Sequence, residues 1–131
     1  MNPPSIDIKN MLLAESALGF TFGTDLFVAK EPTTPKNCVT IFDTPGYPPD
    51  LPIDNSIIEN PSIAIRVRST DYETGYALAE DIKDTLHGRA NETWASSYYM
   101  VIVCTNGPFL LEWDENRLAN FIINFSLKRR R

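Results

Sequence analysis

The sequence predicts an α+β protein: a mixed, mostly antiparallel β-sheet of five to six strands, two helices packed on one face, and a long proline-rich loop. Three observations carry this. Residues 62–69 (SIAIRVRS) alternate, with Ile63, Ile65 and Val67 on one face and Ala64, Arg66 and Arg68 on the other. The closing segment repeats the device: Phe121, Ile123, Phe125 and Leu127 oppose Asn124, Ser126 and Lys128, and only Ile122 breaks the pattern. Period-two alternation marks strands with one buried face. Between these segments, Gly75, Leu78, Ala79, Ile82 and Leu86 recur at helical spacing and form the apolar stripe of a helix.

The other elements follow in order. Ser5 is a candidate N-cap for a first helix carrying Ile8, Met11, Leu12 and Leu18 and stopping near Gly19. Thr24 to Lys30 reads as a strand. Cys38 to Phe42 reads as a second, with Pro35 in the connection, so the two are expected to form a hairpin. Residues 44–61 hold five prolines in 18 positions (Pro45, Pro48, Pro49, Pro52, Pro61), a composition unsuited to a helix or a central strand and read as an arm or loop. Thr70 and Glu73 have capping-box spacing at the start of the second helix, Asp71 to His87, and Gly88 is its stop. Tyr98 to Cys104 is apolar on both faces, as expected of a central strand, and the strand–helix–strand order favours a right-handed parallel crossover. Asn106-Gly107 marks a tight turn, Phe109 to Trp113 a strand, Asp114 to Asn116 a turn, and Leu118 to Lys128 the last strand.

The 131 residues fit a single domain, and 43% hydrophobic content can supply its core without disulfides or metal. The formal charge of −5 is uneven: without Lys128, Arg129, Arg130 and Arg131 the body keeps 8 basic against 17 acidic residues, or −9. An acidic body argues against a general nucleic-acid binder, and the basic run 128–131 reads as a solvated C-terminal tail. Cys38 and Cys104 stand in apolar runs without metal-ligand or redox spacing, which fits free thiols in a reducing cytoplasm. The N-terminus has no basic region followed by an apolar one, so no signal peptide is expected. No apolar run approaches the ~20 residues of a membrane span.

No constellation of residues points to catalysis, a metal or a cofactor. Asp43-Thr44-Pro45-Gly46 copies a DxxG element, but no GxxxxGK[ST] loop accompanies it, and replacing Asp43 by alanine is expected to leave function intact. The single histidine, His87, falls at a helix C-terminus where it can serve as a cap. Glu73, Glu80, Asp81 and Asp84 lie off the apolar stripe and read as a solvated helix face.

The stretch PSIAIRVRS (61–69), the helix DYETGYALAEDIKDTLHG, the hydrophobic strand after it, Asn106-Gly107-Pro108, the DENR turn (114–117) and the terminal FIINFSLKR strand resemble one family. They are similar to the small minor capsid and tail-terminator (tail-completion) proteins of long-tailed bacteriophages, over about 70 residues in the second half of the chain. The resemblance implies a non-enzymatic structural virion protein, made in the host cytoplasm and located in the tail or neck. It would form a ring, a homohexamer, that caps the tail tube and joins it to the head connector. Its partners would be further copies of itself, the tail-tube protein and a head-connector or neck protein, with DNA passing through without specific binding and no membrane contact. A head-completion or connector adaptor of the same fold is the alternative, and a cellular ligand-binding or regulatory domain a further one.

Two sets of residues are the candidate subunit interface. The first pairs outward-facing Arg66 and Arg68 with the acidic helix residues Glu80 and Asp84. The second is the proline-rich arm, whose Tyr47, Leu51, Ile53 and Ile57 a lone domain would struggle to cover. A loop folded over its own core is the competing reading of 44–61.

Overall fold

The computed structural model describes residues 1–50 and 57–130. Two helices, α1 (Pro4–Ala14) and α2 (Tyr72–Leu86), accompany six strands: β1 (Leu26–Val28), β2 (Cys38–Asp50), β3 (Ile58–Ser69), β4 (Ala90–Trp94), β5 (Ser97–Trp113) and β6 (Ala119–Arg130). The sheet order is β1-β2-β3-β6-β5-β4, and every pairing except β1 with β2 is antiparallel. Both helices pack on the same face, over Val39, Ile41, Ile63, Ile65, Val67, Phe121, Ile123 and Phe125. The mixed sheet backed by two helices is the predicted α+β fold.

β6 lies at the centre of the sheet, and its burial alternates from Phe121 to Arg129. Phe121, Ile123, Phe125 and Leu127 are all buried, and β6 is flanked by β3 and β5 along nearly its whole length. Its position changes the expected crossover. The strand reached from α2 is β4, at the far edge and opposite in direction to β3. β5 does run parallel to β3, but with β6 between them. No parallel pair forms there because β6 fills the place that β5 would need.

The expected hairpin of the first two strands is also revised, since β1 pairs with β2 in parallel, Leu26 opposite Val39 and Val28 opposite Ile41. A parallel pair needs a return connection, here residues 29–37, and Arg68 holds it. This buried guanidinium donates to the carbonyls of Pro32 (2.7 Å), Thr33 (3.2 Å), Pro35 (2.7 Å) and Lys36 (3.2 Å) and to Glu31 (3.0 Å). A single cation thus satisfies backbone acceptors that an irregular loop would otherwise leave unpaired.

Asn106-Gly107 is not a turn. β5 runs through it as one 17-residue strand whose ladder to β6 is irregular between Cys104 and Phe109. The Asn124 amide donates to Asn106 Oδ1 (2.6 Å), and Thr105 Oγ1 donates to the Asn124 carbonyl (3.2 Å), so side chains tie β5 to β6 where the ladder is irregular. Gly107 has φ +94, and a Cβ there would stand 2.5 Å from the Ile122 carbonyl oxygen. Only glycine fits.

Residues 44–50 and 58–61 are likewise strand, not loop. β2 and β3 form a long hairpin whose ladder is interrupted between Thr44 and Tyr47 and again between Tyr47 and Asp50. β1 covers the outer side of β2 only as far as Ile41, so Pro45, Pro48 and Pro49 lie on an open edge where no ladder donor is required.

The caps differ from expectation too. Ser5 lies inside α1, which starts after Pro3, and Asp43 of β2 serves the helix end: its carboxylate accepts from the Ser5 N–H (3.0 Å) and Ser5 Oγ (2.6 Å). Asp43 therefore supplies from another element the oxygen that a local cap would have provided. Asp43→Ala should cost about 1 kcal/mol, within the ~0.5–2 range of lost caps, and thermal denaturation will measure it. Helix α2 is capped by Asp71, not Thr70. The Asp71 carboxylate accepts from the Thr74 hydroxyl (2.6 Å) and Thr74 N–H (2.9 Å).

Of the basic run expected to be a solvated tail, Lys128, Arg129 and Arg130 are the end of β6, and Arg131 lies outside the described residues. Arg129 is buried and reaches the Asn2 carbonyl (2.8 Å), Tyr99 Oη (3.4 Å), Asp7 (3.9 Å) and Glu59 (3.5 Å), while Lys128 pairs with Asp50 (3.4 Å). The run ends a strand because its cations find carboxylates on α1, β2 and β3.

Candidate assembly surfaces

Among the described residues, no cluster of His, Cys, Asp and Glu could hold a metal ion. The Cys38 and Cys104 thiols are free, and burial pushes both up from the ordinary thiol range, which favours the protonated thiol over the thiolate. The His87 imidazole is engaged: its Nδ1 accepts from the Cys104 N–H at 2.9 Å, where the β4 pairing of β5 has ended. A cleft of about 150 Å³ between α2 and β2, lined by Phe20, Asn37, Cys38 and Gly75, is below the roughly 300–1,000 Å³ of small-molecule sites.

Three of the four charged residues of the expected interface, Arg66, Arg68 and Glu80, have ion-pair partners within the subunit. Arg68 does not face outward: it is buried under the loop it holds. Arg66 is paired with Glu31 (3.3 Å) and Glu112 (3.0 Å). On the opposite side of the sheet, Glu80 pairs with Lys83 (3.5 Å), while Asp84 lines a wide groove with Glu15, Leu18 and Asp81. The structure brings Arg66 and Arg68 together on one face but places Glu80 and Asp84 on another element, away from them.

Of the apolar half, the described residues Tyr47 and Ile57 are exposed. Tyr47 is 74% and Ile57 55% accessible, at the far end of the β2–β3 hairpin. Leu51 and Ile53 lie outside the described residues. The hairpin end is next to the C-terminal end of β6, where Ile58 opposes Arg130 and Glu59 opposes Arg129.

A second apolar surface escaped the sequence reading. Tyr72 (45% accessible), Tyr76 and Trp113 (53%) are exposed together at the opposite end of the sheet. The Tyr72 ring stacks on Trp113 with centroids 6.3 Å apart, and Tyr72 and Tyr76 both lean on the buried Phe121, at 5.3 and 6.0 Å. The available signal was the i, i+4 spacing of the two tyrosines beside the apolar stripe. Trp113 could be added only once β5 was seen to end beside α2.

The aromatic corner is acidic. Asp71 and Glu73 flank Tyr72 in sequence, Asp114 and Glu115 follow Trp113 with Arg117 in the same turn, and Arg68 is close enough to act on Asp114. Hydrogen bonds from Thr74 hold the Asp71 carboxyl below its usual range, and the Leu118 N–H, followed by weaker contacts from Asn120 and Asn116, does the same for Asp114. Both carboxylates are therefore charged well into the acid range.

A sheet covered by helices on one face, with large apolar groups exposed at the hairpin end, along β5 (Val103, Phe109, Leu111) and at the aromatic corner, has the surface of a protein that meets other proteins. The chain belongs to the bacteriophage tail terminator proteins, whose family model matches residues 15–130. It is thus a structural component of the phage tail, located at the tail or neck of the virion. The fold recurs in a chain of a solved structure described as "Virion of native gene transfer agent (GTA) particle". That chain is 15% identical, with a TM-score of 0.70 over 98% of this chain and 95% of the other. No curated protein matches. No helix among the described residues is long and apolar enough to cross a membrane.

Proposed function

We propose that this protein ends the tail tube as a closed ring, a homohexamer, and presents the capped end to the head connector without catalysing a reaction. The observation that carries the proposal is the family match over residues 15–130. The exposed surfaces agree with it: apolar groups lie at both ends of the sheet, and one subunit cannot cover them. Unlike surfaces that meet head to tail close into a ring when the rotation per subunit permits. Six copies at −5 each would give the ring a formal charge of −30, and the part lining the channel would repel passing DNA instead of binding it.

The test is tube assembly with and without the protein, together with negative-stain microscopy of the protein alone. Rings with a central hole, and tubes that stop growing when the protein is added, are expected. Tubes of unchanged length and a protein that stays monomeric on tube ends would overturn the proposal. Binding to the connector but not to the tube would reassign the protein to the head side of the joint.

A further inference from the structure

Resting on the ring reading, we propose that successive subunits meet face to back: the return loop 29–37 of one copy seats its lysines in the groove between the end of α1 and α2 of the next. Within one subunit the two surfaces are kept apart. The loop lies on the face of the sheet that carries Arg66 and Arg68, because both guanidiniums bind its Glu31 and Arg68 also binds four of its carbonyls. The groove lies on the other face, which the helices cover, and is lined by Glu15, Leu18, Asp81 and Asp84. Distance adds to the separation. The loop ends beside the start of α2, where the Thr70 N–H donates to Asn37 Oδ1 (2.9 Å). Asp84 lies twelve residues beyond Tyr72, about 18 Å along the helix. Loop and groove can therefore meet only between copies.

Charge chooses the occupant. In the groove, Glu15, Asp81 and Asp84 have no ion-pair partner among the described residues, and the nearby cations are taken, Lys83 by Glu80 (3.5 Å) and Arg89 by Glu92 (3.0 Å). The return loop is the converse. Its one acid, Glu31, is held by Arg66 (3.3 Å) and Arg68 (3.0 Å), while Lys30 and Lys36 are exposed and have no carboxylate partner among the described residues. Other exposed cations do not offer this: Lys9 lies over the Phe22 ring, and Arg117 shares its turn with Asp114 and Glu115. Arg68 fixes the loop backbone, so the two lysines are presented at little ordering cost. Exposed Pro35 supplies apolar surface for Leu18, which its own subunit leaves half-covered. Loop against loop would set lysines against lysines, and groove against groove carboxylates against carboxylates. The contact therefore favours head-to-tail association over a two-fold dimer.

The experiment uses two full-length charge-reversal variants, Lys30→Glu/Lys36→Glu for the loop and Asp81→Lys/Asp84→Lys for the groove. Each is followed alone and mixed by analytical ultracentrifugation, and by negative-stain microscopy with and without tubes, with circular dichroism as the check on folding. Alone, each variant should lose assembly, its dissociation constant rising roughly tenfold or more, because its loop and its groove then carry the same sign. An equimolar mixture should restore rings in which the two variants alternate, since every loop again meets a groove of opposite sign. Wild-type assembly should weaken as salt rises. A folded variant that assembles like wild type, or a mixture that stays unassembled while wild type forms rings, would overturn this contact and leave the ring reading standing. A wild type that never assembles, alone or on tubes, would instead overturn the ring reading and this contact with it.

Discussion

Replacing Phe125 with alanine should lower the unfolding free energy by about 3–5 kcal/mol, a large share of the ~5–15 kcal/mol that holds a domain of this size together. Phe125 is 1% exposed and opposes Ile63 on β3 and Cys104 on β5, so its ring belongs to the core on the central strand. Truncation removes the transfer energy of the ring and leaves a cavity that two fixed neighbouring strands cannot close. Denaturant unfolding followed by circular dichroism will measure the loss. A midpoint close to wild type would mean that the centre of the sheet repacks freely.

Removing the Asp7 carboxylate should be comparably damaging, at about 3–5 kcal/mol, although Asp7 is a single polar residue near the chain start. Asp7 is fully buried and accepts from Tyr99 Oη at 2.5 Å. It is also the acidic partner of Arg129, which lies 3.9 Å away and has a buried Nε without a hydrogen-bond partner. Burial first, and then the bond to Asp7, push the Tyr99 hydroxyl far above its ordinary range, so it remains a donor at any working pH. In Asp7→Ala, a buried phenol loses its acceptor and a buried guanidinium one of its two counter-charges, Glu59 remaining at 3.5 Å. Asp7→Asn keeps an acceptor for Tyr99 and should lose less. If both variants unfold within 1 kcal/mol of wild type, water reaches this cluster and the helix is held by apolar contacts alone.

Residues with strict period were legible in the sequence. The alternation at 62–69 and 121–127 assigned β3 and β6 and told their buried faces apart: Ile65, Phe121, Ile123 and Phe125 are all in the core, as are Ile82 on α2 and Ile102 on β5. The 3.6-residue stripe from Gly75 to Leu86 placed α2 within a residue of its ends, and the turn after Trp113 was found from Asp114 and Asn116. Such local periodicities reflect which side of an element meets apolar surroundings, and that can be read without knowing what the neighbour is.

What the sequence left open depends on partners distant in the chain. Proline signalled a loop at 44–61, yet its described residues 44–50 and 58–61 pair as edge strands because nothing requires donors on the outer side of β2. Asn-Gly signalled a turn at 106–107, yet Asn124 and the approach of the Ile122 carbonyl carry β5 straight through. Arg68 looked like an outward charge until the return loop, held by its five donated hydrogen bonds, covered it. The arginines at the C-terminal end looked like a solvated tail until Asp7, Glu59 and the Asn2 carbonyl surrounded Arg129. The sequence by itself determined the class of fold, the core faces and the family resemblance, because these rest on periodicity along the chain. Only the tertiary structure decided the strand order, the engagement of the arginines and the aromatic corner, because each arises where residues tens of positions apart compete for the same space and the same hydrogen bonds.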